Sequence, residues 1–186
     1  MLPLLPKSLW GWIDENQDAF QPPVGNKVVW EDSQFTAMVV RGPNARRDFH
    51  LDPFDEIFYQ LRGDIVVEYL EPDGQRQSAI VQEGDLFLVP AMVGHSPHRP
   101  ADSWGLVIEI KRSPEHVESL LWLCDRCGAK IHEATMYVAN IETELKAAIE
   151  RFDADEQLRT CSSCGYVQPE RVQPIDPPQR ETAGVA

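Results

Sequence analysis

The chain has no long hydrophobic run. No window in its 186 residues approaches the roughly 18 apolar positions of a membrane-spanning helix. Positive charge is scarce as well: 17 Lys and Arg stand against 30 Asp and Glu, a net charge of -13. That balance excludes general affinity for nucleic acid or for an anionic membrane, so an anionic ligand would need a local cluster of arginines. The opening residues, MLPLLPKSLWGWIDE, lack a basic leader and do not read as a signal peptide. A cytoplasmic protein is the expectation, with its four cysteines present as thiols or metal ligands rather than disulfides. No internal repeat is visible. Apolar and charged contents of 42% and 25% are those of an ordinary globular chain, long enough to bury one core and carry a small appendage.

Helical crossovers are missing from the first 110 residues, which argues against a parallel α/β sheet. Strand-like segments are present instead, at 27–30, 35–41, 56–61, 65–70, 77–81, 86–89 and 104–110. Turn signals such as Gly42-Pro43-Asn44, Pro72-Asp73-Gly74 and Gly84-Asp85 separate them. Many short strands in this pattern predict an all-β core, an antiparallel jelly-roll-like sandwich or barrel. Residues 8–20 predict a short helix capped by Ser8 and closed by Pro22-Pro23. Beyond Ile110, Ser113-Pro114-Glu115 would cap a helical turn reaching Leu121. Residues 140–153 have helical spacing with Asn140 as cap, and the proline-containing tail is expected to be extended or disordered. The implied organisation is a barrel with its N-terminal helix over 1–112, a small helical extension over 113–168 and a tail over 169–186.

The chemistry concentrates between Gly42 and Gly63. His50 and Glu56 are a metal-competent imidazole and carboxylate six positions apart, and Glu56 opens an alternating strand. Glu56, Phe58 and Gln60 share one face of it, a combination that suits a pocket lining better than a hydrophobic layer. His95 follows the apolar strand that ends at Pro90. Two imidazoles and one carboxylate on one face of an ion leave positions open, as in non-haem Fe(II) oxygen chemistry. Taken singly, each is as readily a core histidine or a solvated charge.

Arg46 and Arg47 precede His50, and Arg99 follows His95. Surface arginines are common, but a planar fork of donors beside a metal suits the carboxylate of a small organic acid. Glu109 shares a strand face with Val107, so it is either exposed or aimed inward to pair with an arginine or exchange a proton. Cys124-x-x-Cys127 and Cys161-x-x-Cys164, each followed by Gly, form two matched knuckles. Four thiolates in this format suit a closed tetrahedral zinc or iron site of structural role, with a redox CxxC as the rival reading.

The pairing of His50, Glu56 and Gly63 with Gly84, Pro90 and His95 resembles the paired motifs of the cupin superfamily. Asp52 stands where most cupins place a further histidine, and Arg99 where the second motif usually ends in asparagine. More narrowly, PPVGN (22–26), GPNARRDFHLDP (42–53), FYQLRG (58–63), GDLFLVP (84–90), HSPHRP (95–100) and the two knuckles resemble the 3-hydroxyanthranilate dioxygenase family. The likeness is to its form with a rubredoxin-like site near the C-terminus.

That resemblance implies a cupin barrel that opens the ring of 3-hydroxyanthranilate with O2. The product, 2-amino-3-carboxymuconate semialdehyde, closes to quinolinate on the kynurenine route from tryptophan to NAD. His50, Glu56 and His95 would hold Fe(II), with Fe or Zn at the four cysteines. Arg46, Arg99 and Glu109 would serve the reaction and, with Glu56, Val24, Asn26, Phe58 and Pro97, bind the substrate. Arg46 would also border O2, and Asp52 would stay off the iron. A homodimer is implied, with no nucleic-acid or membrane partner. Two alternatives stay open: a metal-dependent cupin isomerase or decarboxylase of a small acid, and a metal-dependent small-molecule sensor.

Overall fold

The computed structural model describes residues 5–178. The chain enters through α1 (Leu9–Glu15), where Ser8 Oγ accepts from the Gly11 N–H at 3.3 Å, as its capping position predicts. The expected longer helix breaks at Asn16 into a single 3-10 turn over Gln17–Ala19. Strands follow: β1 (Gly25–Val28), β2 (Phe35–Arg41), β3 (Phe49–Leu51), β4 (Glu56–Arg62), β5 (Ile65–Leu70) and β6 (Arg76–Val81). β7 (Leu86–Val89), β8 (His95–His98), β9 (Trp104–Ile110), β10 (Glu118–Leu123) and β11 (Lys130–Met136) complete them. The chain ends its regular structure with α2 (Glu144–Ala154) and α3 (Glu156–Arg159).

The strands form two antiparallel sheets, ordered β1-β2-β9-β4-β7 and β11-β10-β3-β8-β5-β6. This is the all-β cupin architecture. One feature of β4 decides where chemistry can sit. Its inward residues Glu56, Phe58 and Gln60 are buried, while Ile57 and Tyr59 face out. The strand therefore turns a carboxylate and an amide into the barrel.

Residues 118–123 are a strand, not the helical turn that Ser113-Pro114-Glu115 suggested. Glu118, Leu120 and Trp122 alternate inward, and β10 pairs with both β3 and β11. Two ladders of backbone hydrogen bonds outweigh a local capping signal. The helix expected over 140–153 begins at Glu144 with Thr143 at its N-cap, and Thr143 makes no side-chain capping bond. Asn140 instead caps the preceding turn, its Oδ1 accepting from the Glu142 N–H at 2.9 Å. Leu145, Ile149 and Phe152 of α2 join the main core, with Phe152 stacked on Trp122 at 4.5 Å.

Residues 171–178 carry no helix or strand, and 179–186 lie outside the described residues. Among the described residues no helix is long and apolar enough to cross a membrane.

Candidate active site and metal centres

His50 on β3 and His95 on β8 are directly opposite in the antiparallel register. Glu56 reaches them from the other sheet. Its Oε1 lies 3.4 Å from His50 Nδ1 and 3.3 Å from His95 Nε2. All three side chains are buried, and their donor atoms lie within 4.8 Å of one another.

The outward nitrogens of both rings are engaged. His50 Nε2 is 2.5 Å from Glu118 Oε2, and His95 Nδ1 is 3.0 Å from the Val93 carbonyl. With those nitrogens protonated, the lone pairs of His50 Nδ1 and His95 Nε2 are left facing Glu56. Glu56 Oε1 is itself buried with no hydrogen-bond partner. An orphaned carboxylate oxygen between two imidazole lone pairs fits a divalent cation of the non-haem iron type. Burial pushes the Glu56 carboxyl up, but His95 and His50 hold it well below its usual range. Burial likewise lowers His50, yet the bond to Glu118 and the nearby Glu56 carboxylate overcome it and raise the imidazolium to about 10. A proton and a metal therefore compete for the same nitrogen.

Val24, Asn26, Arg46, Phe58, Pro97 and Arg99 line the small cavity around this triad, which brings together most of the predicted substrate residues. Phe58 meets the His95 ring edge-on at 5.7 Å. Arg99 is only 1% exposed, and Gln60 Oε1, a neutral acceptor at 3.2 Å, is the partner of its guanidinium. Among the described residues it has no carboxylate within ion-pair distance. Burial and then the charge of Arg46 lower it to about 10. Its place depends on Gly105: a Cβ there would meet Arg99 Nη1 at 2.6 Å. Arg46 pairs in two-pronged fashion with the fully buried Asp48. Arg47, the next residue, turns away to Asp125.

Glu109 does point inward, and it finds an arginine, but not one of those anticipated. Arg112 Nη1 is 2.5 Å from Glu109 Oε1, and Nη2 is 3.2 Å from Oε2. The same guanidinium pairs through Nη2 with Asp52 and places Nε 2.7 Å from Glu118 Oε1. Burial, and next the charge of Glu56, raise Glu109 to about 7 against the pull of Arg112. Burial raises Asp52 to about 6, with Arg112 opposing. Arg112 itself is held above its ordinary value, because Glu109, Glu118 and Asp52 outweigh its burial.

Sequence reasoning missed Glu118 and Arg112. The signal for Glu118 was the one that marked Glu109, a carboxylate on the apolar face of an alternating strand, and reading 113–121 as helical hid it. Ile141 and Leu145 from the C-terminal extension also line the cavity.

The four cysteines converge too. Cys124 Sγ is 3.6 Å from Cys164 Sγ, and Cys127 Sγ is 3.6 Å from Cys161 Sγ. Gly128 and Gly165 adopt φ of 73° and 70°, which lets each chain turn back so that its N–H donates to the carbonyl of the first knuckle cysteine. Burial pushes the Cys161 thiol up, but backbone N–H groups of Cys164 and Ser163 outweigh it and bring it to about 6. The Ala129 backbone N–H lowers Cys127, but its contacts with Cys164, Cys124 and Cys161 push it up to about 12, so it is the convergence of four sulfurs that suits a closed tetrahedral metal site. His132 stands apart from it, beside Trp122 and Phe152.

A larger cavity of about 300 Å³ lies between the ends of β1 and β2 and residues 137–142. Among the described residues no cluster of metal-donor atoms lies wholly within its lining, whereas His50, Glu56 and His95 all line the smaller cavity.

Two antiparallel sheets enclosing two histidines, a glutamate and buried arginines define a cupin with a candidate metal site. The chain belongs to the 3-hydroxyanthranilic acid dioxygenase family, whose profile matches residues 1–153. The 3-hydroxyanthranilate 3,4-dioxygenase of Bacillus cereus (strain 03BB102) is 48% identical over 166 residues, 89% of this chain and 93% of that one. The enzymes of that name from Ruegeria pomeroyi and Neurospora crassa are 44% and 40% identical, covering 88% and 87% of this chain and 91% and 89% of theirs. A solved cupin-2 domain containing protein from Shewanella frigidimarina shares 17% identity over 53% of this chain and 91% of that one, with a TM-score of 0.43.

Proposed function

We propose that this chain is an Fe(II)-dependent extradiol dioxygenase that opens the ring of 3-hydroxyanthranilate. The observation that carries this reading is Arg99, a buried guanidinium without a carboxylate partner among the described residues, set in the same cavity as two imidazole lone pairs and an unpartnered carboxylate oxygen. An aromatic acid supplies the missing anion through its carboxylate, while its hydroxyl and amino groups face the donor triad.

Ferrous iron bound by His50, Glu56 and His95 supplies the electron exchange between an aromatic ring and O2. The protein does the rest. Arg99, with Arg46 beside it, receives the ring carboxylate in its fork of donors. Val24, Phe58 and Pro97 pack against the ring and keep water from the reacting carbon atoms. Asn26 Nδ2 donates to the Ile141 carbonyl at 3.2 Å and so ties β1 to the segment that covers the cavity. Glu109, raised by its burial and by Glu56, accepts the proton that the substrate hydroxyl releases on binding. Arg46 also borders the position left for O2. Both atoms of O2 enter the product, 2-amino-3-carboxymuconate semialdehyde, which loses water on cyclising to quinolinate, a precursor of NAD.

The four-cysteine unit holds zinc or iron in a structural role. Four unlinked thiols accord with a cytoplasmic setting. A homodimer accords with the apolar outer face of the first sheet, where Ile57, Leu86, Leu88 and Ile110 are exposed.

The test is anaerobic loading with Fe(II), then 3-hydroxyanthranilate and air, followed by near-ultraviolet absorbance. An iron-dependent band from the conjugated product, lost in His50→Ala, is the expected result. Silence from a folded, iron-loaded protein would send the function back to an isomerase, a decarboxylase or a sensor.

A further inference from the structure

The donor atoms around the barrel site form three overlapping sets: His50, Glu56 and His95; His50, Asp52 and Glu118; and Asp52, Glu56 and Glu109. Asp52 belongs to two of them. It is acidic, 2% exposed and within 4.8 Å of donor atoms on both His50 and Glu56. By residue type it can bind a cation, and it reaches His50 and Glu56 in separate sets, though no set joins it to His95. What separates it from the triad is its partner. The Arg112 guanidinium divides itself among three carboxylates, Nη1 to Glu109, Nη2 to Asp52 and Nε to Glu118. Phe54 N–H occupies the other Asp52 oxygen, Oδ1, at 2.7 Å.

We propose that Arg112 is the positioning residue that limits this metal centre to three protein ligands, by holding Asp52 and Glu109 off the ion and fixing Glu118 against His50. The proposal rests on the reading of His50, Glu56 and His95 as the metal centre.

The physical argument is one of competing cations. A buried carboxylate without a cation is costly, and it takes the nearest positive charge available. With the guanidinium in place, Asp52 is satisfied where it stands. Without it, the nearest cation is the ion beside His50 and Glu56. A fourth protein ligand would leave less room at a bound ion for a chelating substrate and O2. Arginine is needed because its planar fork donates to Glu109 and Asp52 at once while its Nε lies within ion-pair distance of Glu118, whereas a lysine ammonium presents one point charge.

The full chain is loaded with Zn(II) at the four-cysteine site and then with Co(II) at the barrel site, whose visible absorption reports ligand number and type. Uptake of Co(II) by the parent protein and its loss in His50→Ala establish the centre itself; no His50-dependent uptake overturns that reading and this proposal together. Given uptake, Arg112→Gln is expected to change the Co(II) band, and Arg112→Gln with Asp52→Asn to restore the parental band. The KM for 3-hydroxyanthranilate rises about tenfold in Arg112→Gln, in line with outer-sphere substitutions at metal sites. Arg112→Lys serves where the glutamine variant does not fold, and a changed band is expected there as well. Asp52→Asn alone keeps the Glu109 and Glu118 carboxylates beside Arg112 and is expected to leave the band unchanged. A parental band in the folded Arg112 variants, or a changed band in Asp52→Asn, overturns the role of Arg112 while leaving the metal centre standing.

Discussion

Arg47 donates to Asp125 Oδ2 at 2.7 Å, and this contact joins the segment leading into β3 to the first cysteine knuckle. Arg46, one residue earlier, lines the barrel cavity, so neighbouring side chains face the two candidate metal sites. Asp125 is further anchored by its N–H, which donates to Gln168 Oε1 at 3.1 Å, and by Arg76 at 3.8 Å.

That link shapes what loss of the four-cysteine site should do. Cys124→Ser with Cys127→Ser is expected to release the structural metal and lower the thermal midpoint, because a closed thiolate site contributes folding energy. The barrel keeps its own metal, since none of its donors comes from the knuckles. KM rises several-fold as Asp125 loosens its hold on Arg47, the chain neighbour of Arg46. Metal analysis and steady-state kinetics check this, and loss of the barrel metal in a folded variant would contradict it.

Glu118 orients His50 through a 2.5 Å contact to Nε2. Glu118→Gln is expected to weaken metal binding at the barrel site by about 10–100-fold. Competition with a coloured chelator measures the change, and an unaltered affinity would show that the β3 strand alone holds the ring in place.

Gly105 leaves the space in which the Arg99 guanidinium lies. Gly105→Ala puts a methyl group 2.6 Å from Nη1 and 3.1 Å from Nη2 of Arg99, so the guanidinium must move. The fold should survive, because the clash meets the end of a side chain rather than backbone. The expected result is a KM increase of about tenfold, equivalent to about 1.4 kcal/mol of lost binding. Parallel measurement with a substrate analogue lacking the carboxylate should show little change.

Glu68 provides a pH dependence away from the metal. His98 Nε2 lies 2.8 Å from Glu68 Oε2, and that bond holds the carboxyl below its usual range against the effect of burial. A folded pKa below the unfolded value contributes stability above the unfolded pKa, and this is lost as pH falls through the folded pKa. Glu68→Gln should therefore cost about 1 kcal/mol at pH 7 after discounting for solvent screening. The deficit should shrink as the medium becomes acidic. Thermal unfolding of parent and variant from pH 7 down to pH 3 reads it directly, and a deficit that does not vary with pH would remove the ionic account.

The longer strands of the first 110 residues were legible: 35–41 and 65–70 as apolar, β-branched runs between turn signals, 56–61 and 104–110 because burial of one face imposes a period of two on the residues themselves. So were the identities of the donors, since few side chains offer a lone pair to a metal, and the cysteine knuckles, whose spacing is local. Two of the short strands were not legible. β3 has three residues and β8 has four with a proline among them, too few to show a period, and they exist because each pairs with the other and with longer neighbours. The tertiary structure alone decided which charges meet. Arg112, Glu118 and Asp52 come from separate segments, and each would be solvated by preference. Only the closing of two sheets takes them out of water together, and burial then makes their pairing obligatory. Chain order could name the metal donors, but the guanidinium that holds their rivals away became visible only where the sheets meet.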